Sequence, residues 1–228
     1  MKGPYFSFSR IQPQRRVQTV LLLCAVLLVA VTPAHGKVVT YGTGLKSCEA
    51  YLAAKEEQGG DEVAFVDWLS GYVSAVNALS NHVNNILGNT NLQDTVFWLG
   101  NFCQTHPDTA VAVALDVLVV RSRSTVARPT VEVITYGAGF RSCDAYIEAR
   151  QQRSPEEAGF LDWLGGYVSA INAFSLSTDS VLGKSDITKA VQWVDEYCQA
   201  HSGMHFADAV EARVLGGPRP ITLNRPSQ

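Results

Sequence analysis

Between residues 62 and 80, Phe65, Trp68, Leu69, Tyr72, Val73, Val76 and Leu79 recur at helical spacing. At about 100° per residue they cover one broad apolar side of a helix. Asp67, Ser74 and Asn77 fall on the opposite side, beside the small residues Gly71 and Ala78. The pattern returns 95 positions later, with Asp162, Ser169, Asn172, Gly166 and Ala173 on the polar side. Around it, periodicity and stop signals predict four helices in the first copy, at residues 45–57, 62–80, 92–105 and 109–120. Asn91 and Asp186 are natural caps for the third helix of each copy. Ser154-Pro155-Glu156-Glu157 reads as a helix start, with a capping Ser, Pro at the first helical position and Glu at the third. The β-branched stretches 38–41 and 131–136 read as extended lead-ins.

The repeat extends well beyond that helix. Val38 to Gly44 reappears as Val133 to Gly139, and 33 of 82 aligned pairs are identical at a constant offset of 95 without insertion. Chance does not produce that, so the chain reads as a tandem duplication. The predicted fold class is all-α, with two tandem disulfide-stapled four-helix modules joined by a short linker. Their boundaries are a leader at 1–36, module 1 at 37–120, a linker at 121–131, module 2 at 132–215 and a disordered tail at 216–228. Arg121, Arg123 and Arg128 are placed in the linker, as solvated charges.

The polar side of helix two, Asp67, Ser74, Asn77, Asp162, Ser169 and Asn172, has two readings. It is either a recognition strip or the packing face of a central helix, where Ser and Asn bond neighbouring backbone; the second is preferred. Trp98 and Trp193 are likewise read as core rather than ligand-stacking. After helix two the copies diverge, residues 81–86 facing 176–181. His82, Asn84, Asn85, Thr178 and Asp179 there form a candidate partner-binding loop, although unconstrained drift would look the same.

A module of about 80 residues lies near the lower limit for a self-sufficient core, and the cysteines address this. Cys24 belongs to the leader. The remaining four allow three connectivities, and the repeat selects Cys48 with Cys103 and Cys143 with Cys198. The rival is a metal site using His106 or His201, each three positions beyond a cysteine. One module supplies too few ligands for zinc, so no metal or cofactor is expected and each His is assigned to a helix end.

The leader carries Lys2, Arg10, Arg15 and Arg16 and no acid, then an unbroken apolar run at 20–31 and the small residues Ala34 and Gly36 flanking His35. This is the order of a cleaved secretory signal, and the run is shorter than the roughly 20 residues of a spanning helix. The chain has 18 basic and 21 acidic residues, and without the leader 14 basic residues face the same 21 acids. That balance argues against a nucleic-acid surface. The mature chain is expected to be periplasmic or secreted, without stable membrane insertion, the two modules pairing about a pseudo-twofold axis. No Gly-rich phosphate loop, HExxH or GxSxG occurs, each mature cysteine has a partner, and no catalytic residue is assigned.

Two segments carry a family resemblance: Trp68 to Asn77, and Phe102-Cys103-Gln104-Thr105-His106-Pro107. Together with the early cysteine they resemble the Rap/Tai immunity family, the second copy departing at Ser202 in place of the proline. The match spans about residues 41–119 and 136–214. The resemblance implies a periplasmic protein that binds and blocks a peptidoglycan amidase delivered by type VI secretion. More loosely, the architecture looks like the HdeA-type acid-stress chaperones. The expected partner is therefore a protein, an effector hydrolase or a client. An envelope structural role without a dedicated ligand is the remaining alternative.

Overall fold

Eight α-helices and no strand occur among the residues described by the computed structural model, which are 38–57, 59–80, 85–88, 91–123, 133–175, 180–183 and 186–215. The leader, the tail and linker residues 124–131 lie outside them. The first copy contributes α1 (Cys48–Glu57), α2 (Gly60–Leu79), α3 (Leu92–Thr105) and α4 (Val111–Arg123). The second contributes α5 (Cys143–Gln152), α6 (Pro155–Phe174), α7 (Ile187–Ala200) and α8 (Phe206–Leu215). A short 3-10 turn precedes each set, at Gly42–Leu45 and Gly137–Phe140.

Local chemistry explains the bounds. Asn91 accepts from the Asp94 amide while Asp94 reaches back to the Asn91 amide, a reciprocal cap for α3. Asp186 caps α7 through the Lys189 amide. Beyond shifts of one or two residues at the ends of the second and fourth helices, three details differ from the sequence expectation. The first helix begins at Cys48 rather than residue 45, because Lys46 is extended and Ser47 Oγ receives the Ala50 amide. The fourth helix continues to Arg123, so Arg121 and Arg123 belong to its last turn and not to a linker. Ser154 stands at the start of α6 but makes no side-chain cap: the Glu157 amide bonds the Ser154 carbonyl at 3.0 Å, and the Glu157 carboxylate meets Arg150 at 2.6 Å.

Disulfides join Cys48 to Cys103 and Cys143 to Cys198, each pair with Cα atoms 4.8 Å apart and no solvent exposure. They tie α1 to α3 and α5 to α7. Beside each, the start of the first helix closes on the loop before the fourth. The Cys48 amide donates to the Thr109 carbonyl and the Cys143 amide to the Met204 carbonyl, both at 2.8 Å.

All these helices belong to one compact unit, within which α2 and α6 pack against each other as the centre. Their approach is close because a glycine from each helix sits at the crossing. A Cβ on Gly71 would lie 2.0 Å from the Trp163 carbonyl oxygen, and one on Gly166 would lie 1.9 Å from that of Trp68. Large apolar residues of α2 and α6 also pack into their own copy's helices, while Tyr72 of α2 meets Phe174 of α6 edge-on across the copies. Tyr51 meets Phe65 edge-on, and Trp163 meets Phe206 likewise. Apolar burial on one side and close backbone approach on the other leave α2 surrounded by protein from Trp68 to Ala78.

Candidate functional site

The polar side of α2 and α6 is the seam between the copies. Asn77, fully buried, donates to the Ile134 carbonyl of the other copy at 2.8 Å and accepts from the Ile86 amide of its own at 2.7 Å. Asn172 repeats this with Val39 and Val181 at the same two distances. Ser74 Oγ receives the Tyr136 amide and Ser169 Oγ the Tyr41 amide, both at 2.9 Å. Trp68 and Trp163 donate their indole N–H to the carbonyls of Tyr41 and Tyr136, both at 2.7 Å. Each extended lead-in is thereby held by side chains from both copies, and the contacts have the reciprocity of an isologous pair. Four of the strip residues thus satisfy buried backbone, which is the packing reading of that face.

The remaining two, Asp67 and Asp162, sit at the open end of the seam. They line a cleft of about 480 Å³ shared by Gly60, Val63 and Ala64 of α2, Pro155, Glu156 and Gly159 of α6, and Ala138 and Arg141 of the second copy's entry turn. Asp67 lies so close to α6 that a Cβ on Gly159 would come within 2.8 Å of its Oδ2. Burial pushes both carboxyls up to about 6, opposed by the charge of Arg141 at Asp67. At Asp162 the charge of Asp67 adds to the rise and Lys46 opposes it. Exposed Glu156, held low by hydrogen bonds from Ser154 and its own backbone, is the other acid at the mouth.

These shifts have a definite sign. A carboxyl whose folded pKa exceeds its unfolded value favours the folded state when protonated. Its contribution is complete below the unfolded value near 3.8 and is lost as pH rises through about 6. Solvent screening reduces each contribution to on the order of 1 kcal/mol. The thermal midpoint is therefore expected to be a few degrees higher at pH 5 than at pH 7.5. Replacing both by Asn should flatten that difference. A midpoint that falls between pH 7.5 and 5 in the parent chain would refute the assignment.

The other sequence-predicted positions are placed as follows. His82, Asn84, Thr178 and Asp179 lie outside the described residues. Asn85 is buried, bonds the Leu87 amide and the Gly88 carbonyl, and reaches the Tyr136 hydroxyl of the other copy. Its counterpart Ser180 meets the Tyr41 hydroxyl at 3.3 Å, so this end of the divergent loop has a seam role. Trp98 and Trp193 are half-buried against the core and begin outward stacks, Trp98–Phe102–His106 and Trp193–Tyr197–His201. His106 and His201 end α3 and α7, each ring bonding the carbonyl four residues earlier. No group of three or more His, Cys, Asp or Glu among the described residues could hold a metal ion. No described helix is long and apolar enough to cross a membrane.

What sequence reasoning missed is the shared cleft. Its signal was present as the repeated Asp67 and Asp162, but their proximity exists only once α2 packs on α6. No family model, curated protein or solved structure matches the chain.

Proposed function

We propose that this chain is an exported, non-enzymatic binding protein of the immunity type, which docks on and blocks a peptidoglycan hydrolase in the periplasm. The observation that carries the reading is the concavity the two copies build together. It is lined by residues of both α2 and α6, among them the two carboxylates and Val63, which is 57% exposed. Near neutral pH the ionised carboxylates suit a basic side chain projecting from a partner, and Val63 supplies apolar contact. The strip of Ser and Asn is consumed inside the seam, which leaves this cleft and the outer helix faces for recognition. The cleft is lined by no Ser, His or Cys that could act as a nucleophile. The resemblance of the α2 and α3 segments to Rap/Tai immunity proteins supplies the partner class.

The acid-stress chaperone reading requires the fold to loosen as pH falls. Asp67 and Asp162 oppose that over the upper part of the range, since their protonation strengthens the seam.

Purification of the tagged mature chain from periplasmic extract is expected to recover a hydrolase in a defined complex. The Asp67→Asn, Asp162→Asn chain should recover much less of it. If the parent chain retains no hydrolase, the proposal fails.

A further inference from the structure

The two copies differ at a half-buried polar network between the first and third helices, and the difference leaves a cation in the first copy without an ion pair among the described residues. In the second copy Arg150 on α5 grips Asp195 on α7 with two bonds, Nε to Oδ1 at 3.0 Å and Nη2 to Oδ2 at 2.7 Å. The Tyr146 hydroxyl donates to the same carboxylate at 2.5 Å, and Glu157 takes the third guanidinium contact at 2.6 Å. The carboxylate is thus the hub that satisfies a guanidinium and a buried phenol together.

At the offset of 95, the first copy keeps the surroundings and lacks the hub. Lys55, Tyr51 and Glu62 stand for Arg150, Tyr146 and Glu157, while Gly100 replaces Asp195. Half-buried Lys55 makes no hydrogen bond or ion pair among the described residues. The Tyr51 hydroxyl, with no carboxylate to meet, turns to the Val96 carbonyl at a long 3.3 Å. Gly100 is buried beneath Lys55: outside its own helix backbone, a Cβ there would meet only Lys55 Nζ, at a tight 3.2 Å that the flexible ammonium relieves by moving a few tenths of an ångström. The ammonium therefore stands where an acidic side chain begins in the sister copy. One turn earlier on α3, the copies differ again, with Gln192 replaced by Phe97, which is 66% exposed. Residues three apart on a helix are surface neighbours, so an unpaired cation and an exposed ring share one face.

We propose that this notch between α1 and α3, formed by Lys55, Tyr51 and Gly100, is a carboxylate-binding site that receives an acidic side chain from a protein partner. Phe97 contacts the apolar residue next to it. The second copy is the internal template, since its own Asp195 occupies the equivalent place. The carboxylate chemistry stands independently of the hydrolase reading, which bears only on who presents the acid.

The test uses the full mature chain, disulfides intact and isotopically labelled. It is titrated at pH 6.5 with sodium acetate, with sodium chloride at equal ionic strength, and with the dipeptide acetyl-Phe-Asp-amide. Saturable shifts at the Lys55 and Gly100 resonances with acetate but not chloride are expected, and the dipeptide should bind at least about tenfold more tightly. Equal, non-saturating drift with acetate and chloride overturns the site. A dipeptide no tighter than acetate overturns the partner assignment. Gly100→Asp supplies the carboxylate internally and should raise the thermal midpoint by several degrees while abolishing the acetate response. A lowered midpoint, or an acetate response that survives the substitution, overturns the geometry.

Discussion

Gly71→Ala is expected to destabilise the folded chain by about 3 kcal/mol, at the upper end of the cost of overpacking. The added methyl would stand 2.0 Å from the Trp163 carbonyl oxygen and 2.8 Å from its carbon, both backbone atoms that no rotamer change can remove. Relief requires α2 and α6 to separate, and separation stretches the bonds from Asn77, Asn172, Ser74 and Ser169 that hold the lead-ins. Intrinsic helix propensity works the other way, since Ala is favoured over Gly by about 1 kcal/mol. The sign of the effect is therefore diagnostic. Gly165 is the control, because a Cβ there meets its nearest neighbour, Trp68 Cδ1, at an ordinary 3.6 Å, and its counterpart in the first copy is already Ser70. Gly165→Ala should be neutral or mildly stabilising while Gly71→Ala lowers the thermal midpoint by roughly 6–12 °C. Gly166→Ala should match Gly71→Ala, and the double variant should cost less than the two together. One separation of the helices accommodates both methyls, so the effects are coupled. Additive losses, or a gain from Gly71→Ala, would mean that the helices do not meet at these glycines.

The same seam shows which features could be read from the chain and which could not. Local signals were legible: α3 spans the expected residues, Asn91 and Asp186 cap as their chemistry suggests, and equal spacing gave the cysteine pairing. Periodicity also marked Asp67, Ser74 and Asn77 as one face. It could not say what lies against that face, because a polar stripe has the same period whether it meets water or a second helix. The repeated Tyr-Gly-x-Gly segment was visible only as a repeat. Its reason is tertiary: Gly42 and Gly137 adopt φ of +68° and +64° to turn the chain, and a Cβ on Gly44 or Gly139 would fall within the Trp68 or Trp163 ring. The cleft was hidden for a related cause, since its carboxylates are 95 residues apart and meet only through the α2–α6 packing. The Lys55 notch is legible in the alignment of the two copies as Asp195 against Gly100. Its meaning depends on knowing that Arg150 and Tyr146 converge on that carboxylate.

Removing either disulfide by paired Cys→Ala substitution is expected to lower stability by about 4 kcal/mol, from the loop-closure entropy restored to the unfolded chain at a separation of 55. The two pairs close loops of equal length, so Cys48→Ala with Cys103→Ala should cost about as much as Cys143→Ala with Cys198→Ala. How the loss is distributed depends on the seam. With α2 and α6 sharing buried backbone contacts through both lead-ins, neither copy can unfold without exposing the other's Asn and Ser partners. A calorimetric scan of either variant should accordingly show a single transition, displaced by roughly 8–16 °C, and not one displaced transition beside one unchanged. Two transitions would show that the copies melt independently and that the reciprocal bonds contribute little coupling. Adding Gly71→Ala to a disulfide-deficient chain sharpens the distinction. In a coupled unit the penalties fall on the same transition whichever copy has lost its disulfide, because the glycine belongs to the seam and not to one copy's core.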